Sequence, residues 1–156
     1  MKKLLVAATL FITLVSFSVQ ASEGPKVGKR VAAAFQKEFV GARAVKWELI
    51  SNENIYHAQF ILNNERFNAF FEEDGTLLAT GRFIPVASIP LLIRKNVNSK
   101  YNDYRIQEVI EYTTNSETTY LIAVENEKAR LLLQGYNSGS LYVFKKEKKN
   151  NDVAKL

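Results

Sequence analysis

A two-residue alternation of apolar and polar side chains runs through this chain in short bursts and then recurs 64 residues later. Val45, Trp47 and Leu49 alternate with Lys46 and Glu48. Tyr56, Ala58, Phe60 and Leu62 alternate with His57, Gln59 and Ile61, and Phe67, Ala69 and Phe71 with Arg66, Asn68 and Phe70. Leu77 and Ala79 follow Glu73, Asp74 and Gly75. Successive side chains of a strand point to opposite faces, so each burst predicts a strand with one face in a core. Residues that favour tight turns separate the bursts at Asn52–Asn54, Asn63–Asn64 and Asp74–Gly75, which predicts an antiparallel meander.

At the shift of 64, Val45 falls on Val109, Glu53 on Glu117, Tyr56 on Tyr120, Arg66 on Arg130, Gly75 on Gly139 and Leu77 on Leu141. Helical periodicity precedes each set of strands. Val27, Val31, Ala34, Phe35 and Phe39 recur at three- and four-residue spacing before Gly41. Leu91, Leu92, Ile93, Val97 and Tyr101 do so after Ser88, an expected N-cap, and Pro90. These helices align at an offset nearer 62. The pattern predicts an α+β fold built by tandem duplication of a helix plus a four-stranded meander. One helix cannot cover both faces of a sheet, and a unit of about 60 residues is marginal alone. Two units joined edge to edge give one curved sheet with both helices on one face. The expected boundaries are a signal peptide at 1–21, a first unit at 22–86, a second at 87–146 and a basic disordered tail at 147–156.

The amino terminus supports the first boundary. Lys2 and Lys3 precede an apolar run from Leu4 to Val15, and Val19-Gln20-Ala21 supplies compact residues for cleavage near Ala21–Ser22. A membrane span needs about 20 apolar residues, and this run is shorter, so no stable membrane insertion is expected after cleavage. The destination is the periplasm or the exterior. No cysteine occurs, which removes a lipid-anchoring thiol, disulfides and thiolate metal sites. The fold must stand on its core, and 47% apolar against 24% charged residues is a globular composition.

The net charge of +5 does not point to a nucleic-acid partner. Without Lys2 and Lys3, 19 basic residues face 16 acidic ones, and the excess is concentrated after Phe144. A basic tail on a neutral body keeps a protein soluble.

Several runs resemble a known family: Phe35, Phe39 and Val45-Lys46-Trp47-Glu48; Tyr56-x-Ala58-x-Phe60; and Phe70-x-x-Glu73-Asp74-Gly75-Thr76-Leu77-Leu78. The second half echoes them at Ile89-Pro90, Ile106, Tyr120-x-Ile122-x-Val124 and Gly139-Ser140-Leu141. Across residues 26–146 the chain is similar to the PepSY-like, β-lactamase-inhibitor-like secreted proteins of Bacteroidetes. The resemblance implies a two-unit inhibitor-like α+β fold outside the cytoplasm, without catalysis. It does not imply β-lactamase inhibition, because a fold hosts many functions. The chain departs from the pattern at Glu111, which stands where the first half has Trp47, and in lacking the namesake's cysteine pairs.

Chemistry-bearing motifs are few. His57 is the only histidine and has no cysteine partners, so it reads as a surface or partner-facing residue rather than a metal ligand. Glu72, Glu73 and Asp74 lead into Gly75 and read as turn chemistry rather than a calcium loop. No nucleophile motif, phosphate-cradling loop or paired-acid spacing is present, so no catalytic residues, metal or cofactor are expected.

Trp47, Tyr56, Phe60, Phe67 and Phe71 share the phase expected to meet the helices. The opposite phase carries Phe70, Tyr112, Tyr142 and Phe144 with Arg66 and Arg130. Aromatics and arginines on an open sheet are typical interface anchors. The leading expectation is therefore an exported, non-enzymatic module holding an unidentified envelope or extracellular protein or peptide on these six residues. A small-ligand carrier with a pocket between helices and sheet, or an unrecognised enzyme, is the alternative, and an inhibitor of an exported peptidase a further one.

Overall fold

The computed structural model describes residues 25–50, 53–114 and 117–149. The expected signal peptide and the tail from residue 150 lie outside the described residues. The chain forms α1 (Lys29–Glu38), then β1 (Arg43–Ile50), β2 (Ile55–Leu62), β3 (Glu65–Phe71) and β4 (Leu77–Phe83). A 3-10 turn (Val86–Ser88) leads to α2 (Leu91–Lys100), then β5 (Arg105–Thr114), β6 (Thr118–Glu125), β7 (Ala129–Tyr136) and β8 (Leu141–Lys148). All eight strands form one antiparallel sheet in chain order. The fold is thus α+β, one open sheet with two helices. Among the described residues no helix is long and apolar enough to cross a membrane.

Turn chemistry closes the hairpins where the residue types predict it. Asn63 and Asn64 both adopt positive φ, 51° and 65°, in the two-residue loop between Leu62 and Glu65. Asparagine tolerates this region better than most residues. The acidic run before Gly75 is a turn: Asp74 Oδ1 accepts from the Thr76 amide at 2.8 Å, and the Glu72 carbonyl accepts from the Gly75 amide at 2.9 Å. Ser88, expected to cap α2, instead ends the 3-10 turn, and the N-cap is Pro90, whose carbonyl accepts the Arg94 amide. Pro90, at ψ 137°, is the last extended residue before the helix, which leaves Ser88 two residues too early to be the N-cap.

Register places both helices on the same face. Phe35 of α1 sits among rings of β1, β2 and β3, with centroids 5.1 Å from Trp47, 5.0 Å from Phe60 and 6.3 Å from Phe71. Burying one such phenylalanine stabilises the fold by about 1.5–3 kcal/mol. Under α2, aliphatic Ile93 and Val97 pack on Val109, Ile122, Val124 and Leu133 instead.

The face away from the helices carries an apolar cluster of its own, with Ile55, Phe70, Ala79, Ile110, Tyr112, Leu121, Ala123 and Leu132. Ala79 was expected in phase with Leu77. A bulge between Phe70 and Phe71 pairs Leu77 with Phe71 and Ala79 with Phe70, which sends these two residues to opposite faces.

Both edges of the sheet are interrupted. In β1 the register shifts between Arg43 and Lys46, with Ala44 at φ 52°. In β8 the extra residue is Phe144, followed by Lys145, Lys146 and Lys148. Bulges and lysines on edge strands discourage edge-to-edge aggregation. Glu147 and Lys148, assigned from their charge to the tail, belong to β8, because the ladder continues through Arg130–Glu147 and Ala129–Lys148.

Gly75 and Gly139 have positive φ, 93° and 89°, and each lies against a helix. A Cβ on Gly75 would sit 2.9 Å from the Arg30 carbonyl oxygen, and one on Gly139 would sit 3.1 Å from the Leu92 Cβ. Gly75→Ala is therefore expected to cost about 2 kcal/mol or more, and Glu73→Ala in the same turn less than about 0.5 kcal/mol. Urea unfolding of the two variants measures the difference.

Candidate binding face

The six residues expected on the open face all lie on it, but they divide by access. Phe70 is 0% and Tyr112 2% exposed. Their rings are 6.1 Å apart, inside the open-face cluster. Both were expected to meet a partner directly, and both are instead buried within that face. Gly81 stands directly across from Tyr112 in the ladder, and a Cβ there would lie 2.7 Å from the Tyr112 ring. The glycine lets that ring lie flat over β4. Burial raises the Tyr112 hydroxyl pKa, with Glu108 a lesser cause.

Phe144 is half-buried and packs against the cluster margin, whereas Tyr142 is 61% exposed. Arg66, with its side chain 54% exposed, reaches from β3 across β4 to Glu108 of β5, Nη2 donating to Oε1 at 2.9 Å. Its guanidinium carbon lies 3.9 Å from the centroid of the Phe83 ring. A cation over an aromatic face is attracted by the ring quadrupole.

Arg130 lies between Glu125 and Glu147 in the ladder. Both carboxylates are held below their ordinary pKa range, Glu125 first by the hydrogen bond from Lys149 and Glu147 first by that from Lys145, with Arg130 a minor cause.

One row of the ladder organises this face. Phe83 opposes Ile110, Ile110 opposes Leu121, Leu121 opposes Gln134, and Gln134 opposes Tyr142. Arg66 sits over the Phe83 end and Tyr142 closes the other. Four strand spacings at ~4.8 Å make the row roughly 19 Å long. Arg130 stands off it, toward the far end of β7.

His57 departs most from expectation. It is 1% exposed, not a surface residue. Its ring stacks on Phe70 with centroids 4.5 Å apart and an interplanar angle of 5°. Nε2 is 2.9 Å from Asn68 Oδ1, where the Nε2–H tautomer donates, and Nδ1 is 3.6 Å from Glu48 Oε2. Glu48 opposes His57 in the β1–β2 register, and Phe70 opposes it in β2–β3. His57, 3.6 Å away, is the main influence that holds the Glu48 carboxyl below its usual range, against a smaller opposing effect of burial. The alternation of residues 55–62 already put His57 on this face; what it lacked was the register that supplies polar partners from two other strands. Tyr136 was also missed. It lies 5.9 Å from Tyr142 at 89°.

The alternative pocket between helices and sheet is occupied by side chains: Val31 and Phe35 of α1, and Ile93 and Val97 of α2, are buried in the two helix-face clusters. Among the described residues, no group of three or more histidine, cysteine, aspartate or glutamate side chains is placed to hold a metal ion.

No family model and no curated protein matches the chain. Solved structures do. A Bacteroides eggerthii protein described as periplasmic superposes with a TM-score of 0.69 at 14% identity, covering 81% of this chain and 90% of its own. A BLIP-like protein from Bacteroides fragilis gives 0.65 at 20%, covering 86% and 94%. A DUF2874 family protein from Bacteroides uniformis gives 0.67 at 14%, covering 77% and 88%. At these identities the likeness is one of fold: the chain shares the architecture of BLIP-like and DUF2874 proteins of Bacteroides.

Two outcomes are expected from the His57 group. Asn68→Ala strands a buried ring nitrogen and is expected to cost about 1–3 kcal/mol, whereas His57→Phe combined with Asn68→Leu recovers most of that loss. Urea unfolding of both variants checks it. Because the Glu48 carboxyl is held below its ordinary range in the folded state, its contribution is present above the unfolded pKa and lost as pH falls through the folded one. The stability gap between wild type and Glu48→Gln is therefore expected to shrink on acidification from pH about 6 to about 3.

Proposed function

We propose that this chain is an exported, non-catalytic module that holds a protein or peptide segment along the row from Arg66 to Tyr142. The supporting observation is the row itself. A cation over Phe83 stands at one end and an exposed tyrosine at the other, with Phe144 beside it and the buried side chains of Phe70, Ile110, Tyr112 and Leu121 keeping the strip rigid. A strip of roughly 19 Å matches about six residues of extended chain at ~3.3 Å each. Arg130 is a second cation of the same face, off the row toward the far end of β7. An envelope or extracellular partner fits the residue pattern of the signal peptide at 1–21 and the periplasmic description of the B. eggerthii neighbour. The BLIP-like neighbour favours an inhibitor-like rather than catalytic role. The PepSY resemblance adds restraint of an exported peptidase as one form that such holding takes.

We also infer that the two halves descend from one duplicated unit. Gly75 meets Arg30 and Ala34 of α1, and Gly139 meets Leu92 and Asn96 of α2. The glycines are 64 residues apart and their helix partners 62, the same two offsets that align the sequences.

Crosslinking and capture of the tagged protein in its own organism test the binding reading. The expected result is a single stoichiometric envelope protein whose recovery falls at least about tenfold in the Arg66→Ala/Tyr142→Ala variant. Equal capture by that variant, with folding intact, refutes the assigned face.

A further inference from the structure

Past the Tyr142 end of the row, where the β7–β8 turn stands beside the start of β6, lies an open cleft of about 440 Å³. That volume is in the range of small-ligand sites and far above what a single water needs. Two of its walls are the rings of Tyr136 and Tyr142, set perpendicular. The rim carries hydrogen-bonding groups: the exposed Asn137 side chain, the Ser138 and Ser140 hydroxyls 3.1 Å apart, the Thr118 hydroxyl and the Glu117 carboxylate. Burial raises the Tyr136 hydroxyl pKa, and the nearby Glu117 charge adds to the shift.

Among the described residues no lysine or arginine lines this cleft, although the chain as a whole carries +5. With Glu117 as the only charge among the described lining residues, the cleft repels phosphate, sulfate and carboxylate ligands. A metal cation would take Glu117 and the neighbouring oxygens but would leave the faces of the two tyrosine rings without a role. What fits both halves of the lining is an uncharged ring with an apolar C–H face and several hydroxyls. The slightly positive axial C–H bonds of a pyranose dock on the negative face of an aromatic ring, while its hydroxyls exchange hydrogen bonds with amide, hydroxyl and carboxylate groups.

We propose that this cleft is a binding subsite for a neutral saccharide, with Tyr142 as the stacking platform and Asn137 and Glu117 as the groups that orient the sugar hydroxyls. It goes beyond the protein-holding reading and shares only Tyr142 with it.

Saturation-transfer NMR on the purified protein tests it, using methyl β-D-glucopyranoside, methyl β-D-galactopyranoside, methyl α-D-mannopyranoside and N-acetyl-D-glucosamine as probes. Tetramethylammonium chloride and inorganic phosphate serve as the cationic and anionic comparisons. At least one sugar is expected to receive saturation, concentrated on the protons of one ring face. Tyr142→Ala should weaken its binding about tenfold or more, and Tyr142→Phe should stay within about threefold. Val143→Ala, on the opposite face of β8, should change nothing. Asn137→Ala should weaken sugar binding and leave capture of a protein partner intact, which separates the two readings. Sugar binding undiminished in Tyr142→Ala overturns the site. Preference for tetramethylammonium or phosphate, or no transfer to any sugar in the panel, overturns the ligand class.

Discussion

The pairing of β4 with β5 is the contact on which the rest of this molecule depends. It joins two four-stranded halves into one sheet through five residue pairs, from Ala79–Thr114 to Phe83–Ile110. Its two strands are separated in sequence by the 3-10 turn and all of α2, so no tight turn sets its register. Side chains on both faces do so instead. On the open face Arg66 spans from β3 to Glu108 of β5 above Phe83. On the helix face Arg82 bridges Glu65 of β3 and Glu111 of β5, and Glu111 accepts a hydrogen bond from the Tyr120 hydroxyl of β6. Each exposed pair is worth little alone. Together they favour one register over a slip, which would turn every side chain of a half to the wrong face.

The joined sheet has two apolar faces rather than one, and that explains what becomes of its polar residues. Helix-face positions meet α1 and α2. Open-face positions in the middle of the sheet meet one another, so His57 and Asn68 are buried with each other, and Glu48 completes the group from β1. A buried polar group is costly unless it is hydrogen-bonded. Stacking on Phe70 ties the group to the open-face cluster and through it to Tyr112. Rigidity of that floor is what allows exposed side chains at its margin to keep a fixed spacing. The exposed side chains of that face lie at its margin: the Arg66 end, the Tyr142 end and the polar cleft beyond.

Strand existence and the hairpin turns were legible in residues 43–83 and 105–146, and so was strand phase wherever no bulge intervenes. Alternation and turn chemistry are local, and local rules act the same way wherever the chain later travels. Trp47, Tyr56, Phe60, Phe67 and Phe71 were placed under α1 from period alone, and they pack there. The bulges were not legible. An extra residue at Phe144, or the shift that separates Leu77 from Ala79, costs little locally and is settled by how neighbouring strands fit.

The sequence by itself determined which residues share a face within each unbulged run, where the chain turns and that two helices cover one side of the sheet, because side-chain period and backbone preference are properties of short segments. Tertiary structure alone decided which residues of the open face remain accessible. Phe70 and Tyr142 have the same phase and similar chemistry, yet one is 0% and the other 61% exposed. The difference is lateral position: Phe70 has strands on both sides with their side chains packed against it, whereas Tyr142 stands on the last strand. Burial is a sum over neighbours brought together from the whole chain, and no short segment carries that sum.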